Sequence, residues 1–197
     1  MKLKVLLTLS CVGFVTAVGL FAWYWIRTQP IRVEHQKIDR VVFTRLPPRN
    51  RQLLDFIETT GKSLAPRYDE AVCTEFVIKV IDPFKPLSAT DKRAIRIITG
   101  DNLPALVHDD APIIRGVQEA LVNSGKGVAI DSAAHVLPGD FVQFWNVYNG
   151  KAYGHCGVVM EIEPEKSLTL YSSHPMTDGY GKQKFLWPGK TYFVRLK

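Results

Sequence analysis

The sequence predicts an α+β domain in which an antiparallel sheet packs against helices that come before it. Three observations carry this. Apolar residues recur at helical spacing between residues 51 and 127, strand-like segments take over after Gly139, and no regular β–α alternation joins the two blocks. With 197 residues, 46% of them hydrophobic and 22% charged, the chain is long and apolar enough to bury one core without disulfide staples.

From Val5 to Ile26 no residue is charged. A helix of that length, at about 1.5 Å per residue, reaches roughly 33 Å and can cross a bilayer. Lys2 and Lys4 precede it, Trp23, Tyr24 and Trp25 cluster near its end, and no small-x-small cleavage pattern stands before Arg27. Residues 1–27 therefore read as a membrane anchor, with a cleaved signal peptide as the alternative. Either one exports the domain to the periplasmic or extracytoplasmic face of the cytoplasmic membrane. Residues 28–50, punctuated by Pro30, Pro47 and Pro48, read as a tether, which leaves 51–197 as the domain.

The first helix is expected in "RQLLDFIETTGKSL", where Leu53, Leu54, Ile57 and Leu64 share a face and Gly61 marks the stop. The second is "YDEAVCTEFVIKVIDP". Asp69 is its expected N-cap, Val72, Phe76, Val77, Val80 and Ile81 form its stripe, and Pro83 ends it, which places Cys73 in the first turn. A third helix starts at Ser88, and "APIIRGVQEALVNSGKG" is a fourth, closed by Gly125. The segments "DFVQFWNV", "AYGHCGVVMEI", "SLTLYSS" and "TYFVRLK" are β-branched and aromatic and are set apart by turn residues, consistent with a sheet of about four to six strands.

A thiol at a helix N-terminus feels the positive end of the macrodipole, and a nearby imidazolium lowers its pKa further, so Cys73 is a candidate nucleophile. The competing reading is a small apolar core residue. His155 opens an apolar strand between Gly154 and Cys156-Gly157, small neighbours that leave room for a ligand. A turn over Glu163–Lys166 would pair Ile162 with Ser167 and set His155 opposite His174, able to hold the imidazole in one tautomer. Alternation sends Cys156 to the other face, so a Cys73–Cys156 disulfide requires that face to meet the Cys73 helix. The five histidines show no close paired metal-ligand spacing, and His108 and His135 lie in polar loop stretches. The net charge of +6 comes with no Lys/Arg run, which argues against nucleic acid as a partner.

These residues resemble the NlpC-like superfamily of papain-like cysteine peptidases and amidases. The resemblance rests on "VCTEFV" at a helix start, "PGDFVQFW" leading into a strand, then "GHCGVV" and a later polar residue, and it covers roughly residues 68–174. It implies a papain-like fold with Cys73 as nucleophile, His155 as base and His174 as the orienting residue. Tyr68 and Thr74 are implied as oxyanion or substrate contacts. No cofactor is implied, and peptidoglycan stem peptides or a related envelope peptide are the implied substrate. Val72 stands where such families commonly carry Asp, and Glu75 where Gly is common. "VCTEFV" is also similar to the "NCEHFV" type of motif in permuted relatives that move acyl chains on lipids, although there the histidine precedes the cysteine. A lipid or thioester acyltransferase is thus a second reading. A non-catalytic, membrane-tethered envelope-binding module, with or without a regulatory protein partner, is a third.

Overall fold

The computed structural model describes residues 29–197; the membrane segment expected over residues 5–26 lies outside them. Among the described residues no helix is long and apolar enough to cross a membrane. The architecture is α+β. Among the described residues, six α-helices are joined to a seven-stranded sheet in which every neighbouring pair is antiparallel.

The chain runs β1 (Ile31–Arg32), α1 (Arg40–Arg45), α2 (Pro48–Leu64), α3 (Cys73–Ile81), α4 (Ala89–Arg96), α5 (Leu103–His108), α6 (Val117–Asn123) and β2 (Gly127–Ile130). It then continues through β3 (Phe141–Tyr148), β4 (Lys151–Glu163), β5 (Ser167–His174), β6 (Gly179–Leu186) and β7 (Lys190–Leu196). The sheet order is β1-β6-β5-β4-β3-β7-β2, so the strand bearing His155 is central.

Several elements depart from the sequence expectation, each for a local reason. The tether expected over 28–50 is part of the fold. Ile31 and Arg32 pair with β6, Asp39 caps α1 through the Val41 and Val42 N–H groups, and Leu46 and Asn50 are buried. Gly61 does not stop α2. It sits inside the helix because the Tyr180 ring lies where a Cβ would be, 2.4 Å away. The expected fourth helix breaks at Gly116 (φ +46°), which separates a 3-10 turn over Pro112–Arg115 from α6. The sheet exceeds the expected four to six strands. β1 and β2 are too short for a periodicity signal, and β6, "GYGKQKFL", carries two glycines and two lysines in place of an apolar alternation.

Two cores sandwich the sheet. On one face α2, α3 and α6 bury Leu53, Leu54, Ile57, Phe76, Val77, Ile81 and Leu121 against Phe141, Cys156, Val158, Met160, Tyr171 and Val194. α3 is rich in β-branched residues and would be a poor isolated helix, so this burial is what holds it. On the opposite face Val142, Phe144, Val159, Leu168, Leu170, Phe185 and Phe193 pack under Val136 and Trp187.

The β4–β5 hairpin corrects itself. Its turn is one residue tighter than expected, pairing Glu163 with Ser167 and Ile162 with Leu168. A bulge between Val159 and Glu161 then absorbs one residue, and Val159 pairs with Leu170 and Val158 with Tyr171. Beyond the bulge the register is the one that sets His155 beside His174.

Candidate active site

Helix α3 begins at Cys73 itself, three residues after the expected cap region. Its N-cap is Val72, in extended conformation and unable to offer a side-chain hydrogen bond. Asp69 and Glu70 lie upstream in a turn, where Asp69 ion-pairs with Arg67 at 2.8 Å. The first intrahelical bond runs from the Phe76 N–H to the Val72 carbonyl, 3.0 Å. The N–H groups of Cys73, Thr74 and Glu75 therefore point out of the helix end with no side-chain cap, around the thiol. Glu75 adds a carboxylate to that turn, but Arg96 grips it in a bidentate pair (2.6 and 3.0 Å), which offsets its charge near the sulfur.

The loop before Cys73 is tied down from the sheet. Ser173 Oγ donates to the Ala71 carbonyl, and the Tyr68 N–H reaches Asp178 Oδ1 at 3.4 Å. Across from the helix end, two buried side chains fix β4. Gln143 Nε2 donates to the His155 carbonyl (3.1 Å), and Ser172 Oγ donates to the Cys156 carbonyl (2.7 Å). The sequence reading missed Gln143, Ser172 and Ser173. Polar residues at alternating positions of strands that read as core were the available signal.

Cys73 and Cys156 are free thiols, the first half-buried and the second buried. The face bearing Cys156 does meet the Cys73 helix, and the two thiols lie side by side without a disulfide. The Cys73 pKa is held well below the usual thiol range, first by hydrogen bonding from the Cys156 thiol and then by the charge and hydrogen bonding of His155, against the opposing effect of burial. The Cys156 pKa is pushed well up, by its hydrogen bond to the Cys73 sulfur and by desolvation. These opposite shifts favour ionisation of Cys73 before Cys156, with the Cys156 thiol as donor. The sequence reading sent Cys156 to the strand face opposite His155; its place as hydrogen-bond partner of Cys73 was not foreseen.

His155 is buried among rings: Phe185 at 5.1 Å, His174 at 5.3 Å and Phe144 at 5.6 Å between centroids. Strand β5 ends at His174 while β4 continues back to Lys151, so that stretch of β4 is open on the β5 side. His174 meets His155 edge to face, with an interplanar angle of 80°. Its Nδ1 accepts the Met176 N–H at 3.1 Å, so neutral His174 carries its proton on Nε2. Burial, followed by the charge of His155, lowers the His174 pKa to about 4 and keeps the ring neutral near pH 7. His155 Nε2 is buried with no hydrogen-bond partner in the protein. The expected hydrogen-bonded grip of His174 on the His155 tautomer is thus a ring contact instead.

Tyr68 lies close enough to both thiols that they raise its pKa, after the larger effect of burial, so its hydroxyl stays protonated. Thr74 lines a cleft of about 270 Å³ beside the sulfur, together with Ile97, Leu103, Gln143, Trp145, Ala152 and His155. Of the five residues singled out from the sequence, Cys73, Thr74 and His155 line this cleft, while His174 lies against the His155 ring and Tyr68 lies near the two thiols. A larger cleft of about 590 Å³ runs along β2 past His135. Its one hydroxyl, Ser132, accepts from the Ala134 N–H at 3.3 Å. Among the described residues no three His, Cys, Asp or Glu side chains converge as a metal-ion cage would require. His108 and His135 are exposed, but they end α5 and a 3-10 turn over Ala133–His135 and do not lie in loops as expected.

Fold and site together define an α+β protein with a free cysteine at a helix start set against the middle of an antiparallel sheet. No protein-family model matches the chain, and no curated protein or solved structure matches it either.

Proposed function

We propose that this protein is a cofactor-independent cysteine peptidase or amidase of papain-like, NlpC-type arrangement. Its expected place is the outer face of the cytoplasmic membrane, where it would cleave an amide in a peptidoglycan stem peptide or related envelope peptide. The observation that carries the reading is the Cys73 thiol at an uncapped helix end, its pKa lowered by Cys156 and His155, lining an open cleft that His155 also lines.

In this reaction the Cys73 sulfur attacks the amide carbonyl. The oxyanion is met by the Cys73 N–H at the helix end, and the Tyr68 hydroxyl is the second donor. His155 gives a proton to the leaving amine, so the C–N bond breaks and an acyl thioester remains on Cys73. Water, deprotonated by His155, then hydrolyses the thioester and restores the free thiolate. His174, with Phe144 and Phe185, fixes the His155 ring as a positioning residue.

Two measurements test the assignment. Cys73→Ala should abolish hydrolysis of stem-peptide amides while the folded-state circular dichroism is retained; undiminished hydrolysis rejects Cys73. Alkylation of Cys73 by iodoacetamide should stay fast as pH falls well below the ordinary thiol range, because a depressed pKa keeps thiolate present there. A rate that climbs only around the ordinary pKa of a free cysteine contradicts the assignment.

A further inference from the structure

The cleft beside Cys73 owes one wall to a segment that none of the recognised motifs includes. Cys73 and His155 line the cleft together with Ile97, Leu103, Trp145 and Ala152. Ile97 caps the C-terminus of α4 and Leu103 opens α5. Both belong to the stretch between residues 78 and 137, which holds no part of "VCTEFV", "PGDFVQFW" or "GHCGVV". The wall is therefore particular to this chain.

It is reachable and it is held in place. Ile97, Leu103 and Ala152 are each partly exposed, so an occupant of the cleft meets their side chains. They pack onto a small core of Val107, Ile114 and Trp145, in which the Trp145 Nε1–H donates to the Ile114 carbonyl at 2.7 Å. Trp145 can lie over β4 only because residue 154 is glycine; a Cβ there would come within 2.5 Å of the ring. Ile97 holds a left-handed backbone (φ +53°), which a β-branched residue adopts only when its surroundings over-determine it, and such strain gathers at binding sites.

Size and charge narrow the occupant. The volume of about 270 Å³ is well above the roughly 150 Å³ that encloses a benzene ring in an apolar cavity, so there is room for far more than a methyl group. Arg96 also lines the cleft, but both oxygens of Glu75 hold its guanidinium, at 2.6 and 3.0 Å, which removes the pull on an acidic side chain. Thr74 is partly exposed and Gly154 exposed in the same cleft, so an occupant meets hydroxyl and peptide groups beside the apolar wall. A peptide suits that mixture, whereas a bare acyl chain leaves those polar groups without partners.

Resting on the proposed hydrolase reading, we infer that this cleft is a subsite for a bulky apolar side chain, of leucine size or more, carried by the residue whose carbonyl Cys73 attacks. Ile97, Leu103 and Ala152 are then specificity-determining residues. The substrate class narrows to envelope peptides with such a residue on the acyl side of the scissile amide.

The test uses the full chain, with alkylation at Cys73 followed by peptide mass spectrometry. The electrophiles are acetyl-alanyl and acetyl-leucyl chloromethyl ketone, a straight-chain octyl chloromethyl ketone, and iodoacetamide as the measure of thiol reactivity in each variant. The leucyl ketone should react with the wild type roughly tenfold or more faster than the alanyl one, the scale expected of added methylenes in an apolar pocket. Ala152→Phe, which fills the cleft, should erase that preference relative to iodoacetamide. Leu103→Ala, which removes part of the wall without adding bulk, should cut it severalfold and serves if Ala152→Phe fails to fold. Equal rates for the alanyl and leucyl ketones in the wild type, a preference that survives either folded variant, or an octyl ketone that matches the leucyl one overturns the subsite. Iodoacetamide labelling of the wild type no faster than that of an ordinary free cysteine instead overturns the nucleophile on which the subsite rests, so the two failures are told apart.

Discussion

Replacing His155 with Ala should lower amide turnover by roughly 10²–10⁴-fold, the contribution of one well-placed general acid–base group. The leaving amine needs a proton, and the imidazole whose charge bears on the Cys73 sulfur is the group proposed to give it. The same substitution should move the pH profile of Cys73 alkylation only part of the way back toward an ordinary thiol. The Cys156 thiol is the first contributor to the depressed pKa and survives the change, whereas the His155 charge is a later one. Turnover and reactivity therefore separate in this variant. Retention of more than about a tenth of the activity would remove His155 from the chemistry.

Asp140→Ala is expected to have the largest effect on stability, on the order of 3–5 kcal/mol. The carboxylate is fully buried and accepts from the Leu137 N–H (2.7 Å), Asn50 Nδ2 (2.9 Å), and Arg195 Nε and Nη2 (2.8 and 2.7 Å). Deleting it strands three donor groups drawn from α2, the approach to β3, and β7, two of them far from Asp140 in sequence. A loss of that size is a large part of the 5–15 kcal/mol that typically separates folded from unfolded. It should appear as a drop in melting temperature on the order of 10 °C and a matching fall in denaturation midpoint. A change below about 1 kcal/mol would mean that Arg195 and Asn50 find water or other acceptors without loss.

Much of this was legible in the sequence, for identifiable reasons. Helices α2, α3 and α4 and strands β3, β4, β5 and β7 carry strong periodicity. A helix was expected to start at Ser88, and the structure makes Ser88 the N-cap of α4 in a reciprocal capping box with Asp91. The placing of Cys73 at a helix start and of His155 beside His174 followed from helix position and hairpin register, while the joining of Cys73 to His155 came from the family resemblance. The turn register behind the last of these was off by one residue, and the bulge at Met160 offset the difference. A bulge has no compositional mark, so only the coordinates reveal that compensation. The N-terminal boundary of α3 was misplaced because Asp69 is a good capping residue that is used instead by Arg67. Gln143 looked like an ordinary alternating strand position, and its unpaired oxygen depends on carbonyls contributed by residues 144 and 155. Such features are tertiary, and a one-dimensional pattern cannot hold them.

The bulge also frees one end of the molecule from the other. Pro164, Glu165 and Lys166 form an exposed turn, while the ladder near His155 is pinned by Gln143 and Ser172, many residues away. Lengthening a surface loop costs little, about 0.6 kcal/mol per doubling. A short epitope or a fluorophore-accepting peptide spliced after Glu165 should leave iodoacetamide reactivity at Cys73 unchanged, offering a handle for imaging or pull-down at a distance from the thiolate.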